Sequence, residues 1–282
     1  NYYPRSIYVN DASEIKSNTV YHFQYYSGYS MDLYQSSYNI DLVIENNYIE
    51  HFSQYTWTTN NGAIDIENDY SYTGSVLIKN NTIKVYNGAN VGIRAVTDNT
   101  DILDNIISYG ELGAQNCGLN QYGDYLRGID IDDSDHHIIK GNTITNFNTG
   151  IEMSNSTDNV VDSNSIHTLS SYTTINGSNY DWSNNNYGIY AVNSDSLFVT
   201  NNTITTGSGT LIYQTNGAST IKYNLLETES GRGIWCENQA GVEFSNNTIV
   251  STNGNGDYGI YVSNLSAPII KNNIIDNFQN GI

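Results

Sequence analysis

Ile78 to Val85 reads IKNNTIKV, Val199 to Thr206 reads VTNNTITT, and Phe244 to Ser251 reads FSNNTIVS. Each carries one frame: a large apolar residue, an asparagine three places on, and a large aliphatic two places after that. The frame recurs nine times, its asparagine at Asn47, Asn81, Asn105, Asn142, Asn164, Asn202, Asn224, Asn247 and Asn273. The residue before is Ile44, Ile78, Ile102, Ile139, Val161, Val199, Ile221, Phe244 or Ile270. The residue after is Ile49, Ile83, Ile107, Ile144, Ile166, Ile204, Leu226, Ile249 or Ile275. A second motif, usually Gly-Ile, opens most units, at Gly92, Gly128, Gly150, Gly188, Gly233 and Gly259. Apolar residues alternate with polar ones around these anchors, as in short half-buried strands, and no helical period appears.

The asparagines stand 22 to 38 residues apart. A base unit of about 22 residues built only from strands suits one coil of a β-solenoid. Coils stack at about 4.8 Å, so like residues lie on like. Asparagines stacked at a bend can pass amide hydrogen bonds from coil to coil. The expectation is an all-β, single right-handed parallel solenoid of at least nine coils, about 43 Å of stack. Loop insertions fall at one corner. Residues 1–37, with VYHFQYY at 20–26, are expected as an N-terminal edge coil or cap. Residues 38–282 are the repeats, expected to run on past the closing NGI.

On the NNTI motifs at 80–83, 201–204 and 246–249 and the Gly-Ile openers, the chain resembles the right-handed parallel β-helix (pectate-lyase-like) superfamily. The resemblance covers roughly residues 38–282. That superfamily includes pectate lyases, polygalacturonases, phage tailspikes and many surface proteins, so it implies a fold more than a function. The Asn-, Tyr- and Thr-rich, lysine-poor repeats also resemble adhesin-like surface proteins of methanogenic archaea.

Composition excludes several partners. Ten Lys+Arg against 29 Asp+Glu give a net charge of −19, which repels nucleic acid and anionic membranes. No apolar run is long enough for a membrane span, and no charged, apolar leader opens the chain. Cys117 and Cys236 are too few for a disulfide framework. The register sets them four to five coils apart, so both are expected as free thiols. Six Asn-x-Ser/Thr sequons, at Asn80, Asn155, Asn176, Asn201, Asn246 and Asn264, fit an extracellular, cell-surface chain.

The densest polar stretch is Asp130 to His137, DIDDSDHH. Asp133 aligns with Asn155, Asn193, Asn238 and Asn264, a column that wants an Asx turn and so belongs to the scaffold. Asp135, His136 and His137 lack a second ligand group at metal spacing, so no metal is assigned. Asp130 and Asp132 differ, because Ile129 and Ile131 claim the inward positions of their strand. The outward column then runs Asp65, Arg94, Asp130, Glu152, Tyr190, Ile212, Trp235, Tyr261. The next runs Glu67, Val96, Asp132, Ser154, Val192, Gln214, Glu237, Ser263. One face is therefore acidic in its first half and aromatic in its second.

The longest connections adjoin that face: 22 residues from Ile107 to Ile129, 23 from Ile166 to Ile189 and 15 from Ile49 to Ile64, against seven from Ile144 to Ile151. They carry Tyr55, Trp57, Tyr109, Tyr122, Tyr125, Tyr172, Tyr180, Trp182 and Tyr187. Long loops on a rigid scaffold tend to be functional, and aromatic faces beside Asn, Gln and Asp suit sugar rings.

As an enzyme, a glycoside hydrolase would draw its acids from Asp65, Asp130, Asp132 and Glu152. Asp130 and Glu152 are spaced about 5 Å along the axis for retention, and Asp65 and Asp130 about 10 Å, at the edge of the inverting range. The resemblance implies acids on this strand in polygalacturonase-like families, but the His-Gly and Arg-Ile-Lys motifs of those families are absent. A uronate lyase needs cations, often with Ca²⁺; the acid patch is where Ca²⁺ would go, yet only Arg94, Arg127 and Arg232 approach it. The reading therefore favours a cell-surface, adhesin-like or structural solenoid over an enzyme, and among enzymes a hydrolase over a lyase. It binds glycans, or neighbouring copies in a surface array, through Arg94, Asp130, Asp132, Glu152, Tyr190, Trp235, Tyr261 and Trp182, and no cofactor is assigned.

Overall fold

In the computed structural model the described residues are 6–11, 13–24, 28–35, 41–53, 62–68, 73–87, 91–110, 126–168, 172–175, 178–181, 186–238, 241–264 and 267–282. They form three ten-stranded parallel sheets, each strand pairing with its equivalent in the neighbouring coils. The first sheet comprises Ile7–Asn10, Tyr29–Gln35, Gly62–Asn68, Val91–Val96, Arg127–Asp132, Thr149–Ser154, Tyr187–Val192, Thr210–Thr215, Arg232–Glu237 and Ile260–Ser263. A strand of the second sheet and one of the third follow each of these, completing a coil. Ten right-handed coils result, and the described residues contain no helix.

The repeated frame fixes the bend between the second and third sheets. The residue before each ladder asparagine adopts positive φ: Ser17, Asn46, Asn80, Asp104, Gly141, Ser163, Asn201, Tyr223, Asn246 and Asn272. Asparagine tolerates that left-handed conformation better than most residues, which accounts for the doubled Asn of NNTI. The second asparagine turns inward and hydrogen-bonds along the stack. Asn81 donates from Nδ2 to Asn105 Oδ1 at 3.0 Å and to Ile44 O at 2.9 Å, while its own oxygen accepts from Asn47 at 3.0 Å. The series runs unbroken from Asn18 to Asn273. Asn18 escapes the sequence frame because Val20 replaces the usual Ile or Leu.

The flanking apolar residues line the interior. From Ile49 to Ile249 the aliphatics after the asparagines are at most 1% exposed, in one continuous core. The opening glycines meet them across the third corner: a Cβ on Gly150 would lie 2.3 Å from Ile166 Cγ2 and 2.7 Å from Gly188 O. Glycine is needed there for close approach. A second Asx column stacks at the first corner. Asn155 donates to Asp133, Asn193 to Asn155 and Asn216 to Asn193, at 2.9, 3.0 and 2.8 Å, and Asn264 donates to Asn238 at 2.9 Å. All of these have positive φ. Asp133 is scaffold, and Asn216 joins a column in which the sequence did not place it.

One coil is out of step with the sequence reading. Ile212 pairs with Ile189 and Ile234 and lies in the core, as does Gln214; the outward positions belong to Tyr213 and Thr215. The slip arises because this coil is one residue shorter between its first corner and its second sheet, Asn216 to Ser219 against Asn193 to Leu197, and its opener Leu211 lacks the glycine that would mark the strand. Cys236 faces the core as a free, fully buried thiol, and burial pushes its pKa up. Cys117 lies outside the described residues.

Candidate functional site

The outer face of the first sheet gathers the residues of interest, and strand pairing fixes their order. Asp32 pairs with Asp65, Asp65 with Arg94, Arg94 with Asp130 and Asp130 with Glu152. Glu152 then pairs with Tyr190, Tyr190 with Tyr213, Tyr213 with Trp235 and Trp235 with Tyr261. The acidic-to-aromatic sequence of the column is thus present, with Tyr213 in place of Ile212 and Asp32 added at its head. Sequence reasoning missed Asp32 because its strand opens on Tyr29 and Ser30 with no Gly-Ile signal.

Two arginines bind the acids together. Arg94 donates to Asp65 at 3.0 Å and Glu67 at 2.8 Å. Arg127 donates from Nε to Glu152 at 2.6 Å and from Nη1 to Asp130 at 3.3 Å. Asp65 and Asp130 are outward in register yet only 3% and 7% exposed, because these guanidinium groups and adjoining strands cover them. Burial outweighs the arginine beside each carboxyl. Asp65 is raised to about 7, and Asp130 and Glu152 are also held above the usual carboxylate range. Asp132 is half-buried one position outward.

At the acidic–aromatic junction lies a cavity of about 140 Å³, lined by Arg127, Thr149, Glu152, Tyr187 and Tyr190. Tyr187 and Tyr190 have ring centroids 4.7 Å apart, and Tyr190 stacks on Tyr213 at 5.1 Å and 10°. Farther along, Trp235 stacks on Tyr261 at 4.0 Å and 27°, with the Arg232 guanidinium 4.3 Å from the Trp235 ring centre. In each of these three strands the opening residue folds back onto the residue three places later: Arg127 onto Asp130, Tyr187 onto Tyr190, Arg232 onto Trp235. A larger cavity of about 290 Å³, lined by Ser208, Gly209, Thr210, Ser230, Gly231, Arg232 and Asp257, lies by that last strand.

Residues 115–282 match the family described as the right-handed beta helix region. The chain belongs to that family. No curated protein matches the sequence of this β-helix. Solved structures share its fold at low identity. DFA-IIIase from Arthrobacter chlorophenolicus A6 in complex with GF2 aligns over 84% of this chain and 66% of its own, at 12% identity and a TM-score of 0.53. The same enzyme without its lid gives 14% identity, the same two coverages and a TM-score of 0.52. The Dettilon tailspike protein aligns over 94% of this chain and 61% of its own, at 11% identity and a TM-score of 0.54. This β-helix thus spans under two thirds of the length of either protein, and at such identities the likeness is one of fold.

The other polar candidates of the β-helix lie elsewhere. His137 is fully buried at the first corner, its Nε2 3.1 Å from Ser134 Oγ, and burial lowers its pKa. His136 approaches Asp158 at 3.5 Å. Among the described residues no group of three or more His, Cys, Asp or Glu is arranged to hold a metal ion, and no helix is long and apolar enough to cross a membrane. Tyr109 is buried against Phe147, with ring centroids 6.0 Å apart, so it pins the interior. The connection after Thr168 carries an antiparallel hairpin, Tyr172–Ile175 with Ser178–Asp181. Trp182, Tyr55, Trp57, Tyr122 and Tyr125 lie outside the described residues.

Proposed function

We propose that the protein is an extracellular, cell-surface β-helix that binds glycans on the outer face of its first sheet and does not cleave them. The observation that carries this reading is the pair of stacked platforms, Tyr190 on Tyr213 and Trp235 on Tyr261, each beside a polar cavity. Sugar rings present C–H faces that pack on aromatic planes, while their hydroxyls need fixed donors and acceptors nearby. Arg127, Glu152 and Thr149 provide these at the first platform, and Arg232, Asp257 and Thr210 at the second.

A glycoside hydrolase is the second reading, favoured by one feature. Asp130 and Glu152 occupy adjacent strands, and burial raises both above the usual carboxylate range, as suits a general acid. Against it, both are engaged by the single Arg127. A uronate lyase draws less support, since Arg94, Arg127 and Arg232 are all paired with carboxylates.

A glycan array followed by reducing-end release on the positive ligands tests the choice. The expected result is binding without release. Trp235→Ala should lose roughly tenfold or more in affinity, as when an aromatic anchor is truncated. Asp130→Asn should keep most of it. Release by the wild type that Asp130→Asn abolishes would establish the hydrolase. Unchanged affinity in both variants without turnover would reduce the face to a solvated wall.

A further inference from the structure

Resting on the glycan-binding reading, we infer that the unit held at the Arg127–Tyr190 cavity carries a free ammonium group: an amino sugar of the glucosamine type, neither a uronate nor a neutral hexose. The charge inventory of the face points there. All six lysines lie on the other two sheets, Lys16, Lys79, Lys140, Lys222 and Lys271 on the second and Lys84 on the third. On the first sheet every arginine already has a carboxylate partner: Arg94 has Asp65 and Glu67, Arg127 has Asp130 and Glu152, and Arg232 has Asp257. Among the described residues no cation on this face is left to receive an anionic sugar.

The carboxylates remain in excess. Around the cavity Asp130, Asp132 and Glu152 face one guanidinium, Arg127, and two coils before Asp130 the carboxylates of Asp65 and Glu67 share Arg94. Burial keeps Asp130 and Glu152 hard to ionise, so an added positive charge would relieve both. The opposite wall is two tyrosine rings, whose faces attract a cation within about 6 Å. A cavity of about 140 Å³ has room for a single sugar ring. A neutral ring would use the tyrosines and leave the charge excess unanswered.

Titration calorimetry at pH 6 with three probes of equal length tests this: deacetylated chitosan oligomers, their fully N-acetylated counterparts, and oligogalacturonate. The deacetylated oligomer should bind about tenfold more tightly than the acetylated one, as expected for one partly desolvated cation contact, and the uronate should bind weakest. Glu152→Gln should collapse the ratio between the first two. Asp132→Asn, on a half-buried carboxylate with little packing to lose, should narrow it if Glu152→Gln fails to fold. Equal affinity for the first two probes, or tightest binding of the uronate, would overturn the inference while leaving glycan binding intact. Binding of none of them, with no hit on the array, would remove the glycan reading itself.

Discussion

Asn142 makes the cost of a single ladder residue concrete. It accepts from Asn105 and donates to Asn164 at 3.0 Å and Ile102 O at 2.7 Å, fully buried. Asn142→Leu keeps the branched outline but strips partners from buried amides, at about 1–3 kcal/mol for each group left unsatisfied. The expected loss in urea unfolding is about 3 kcal/mol or more, against about 1 kcal/mol at most for Asn201→Ser, an exposed residue on the same bend. The same scale sets a pH dependence. The folded pKa of Asp65 lies near 7, above its unfolded value, so the folded state holds the proton more tightly. Its contribution is therefore most favourable in acid and declines as pH rises from about 4 to 7. Thermal melts across that window should show wild-type stability falling relative to Asp65→Asn; a parallel course would refute the assignment. The ladder asparagines were legible because one side chain must recur wherever the chain bends the same way. The burial of Asp65 and Asp130 was not, because alternation reports which way a side chain leaves the strand and not what its neighbours lay over it.

At the scale of the element, the Gly-Ile opener and the ladder aliphatic are two halves of one contact. Gly150→Ala would drive a methyl against Ile166 Cγ2 and Gly188 O, and overpacking of this kind costs about 1–3 kcal/mol. Ile166→Leu removes the branched methyl and should recover part of that loss in denaturant melts; no recovery would place the strain on the backbone contact alone. One coil already has such a pair, with Leu211 at the opener and Leu226 at the ladder. With no Gly-Ile to mark this strand, counting back from Asn224 lands one residue early in a coil that is one residue shorter, and that is why Tyr213 escaped notice. The hairpin of Tyr172–Ile175 with Ser178–Asp181 went unread for another reason: its one signal, the Asn-Gly pair in the sequence between its strands, sits inside an insertion where no neighbouring coil repeats it.

Across the whole molecule, a single interior runs the length of the stack, and Cys236 reports on its integrity. Its thiol is fully buried and burial raises its pKa, so disulfide-exchange reagents should modify it only as fast as the coils open. In a Cys117→Ser variant, rapid labelling in native buffer would contradict the inward register of its strand; slow labelling that accelerates with denaturant is the expected course. Repeat architectures hold together mainly through neighbouring units, so partial opening near Cys236 need not involve the whole stack.

The asparagine ladder also has a direction. Every side-chain link from Asn18 to Asn273 donates toward the next coil, and each asparagine from Asn47 onward accepts from the one before. The side-chain amides are thus aligned head to tail, and such chains polarise one another. Their dipoles sum along the axis much as peptide dipoles do in a helix, positive toward Asn273 and negative toward Asn18. An aspartate at any link would still accept from the side-chain amide of the coil before it, but would turn lone pairs toward the side-chain oxygen of the coil after and toward a main-chain carbonyl of the coil before. Conversion of one amide to an acid therefore loses both bonds its NH₂ group donates, to the side-chain oxygen of the coil after and to a main-chain carbonyl of the coil before, and keeps only the bond its oxygen accepts.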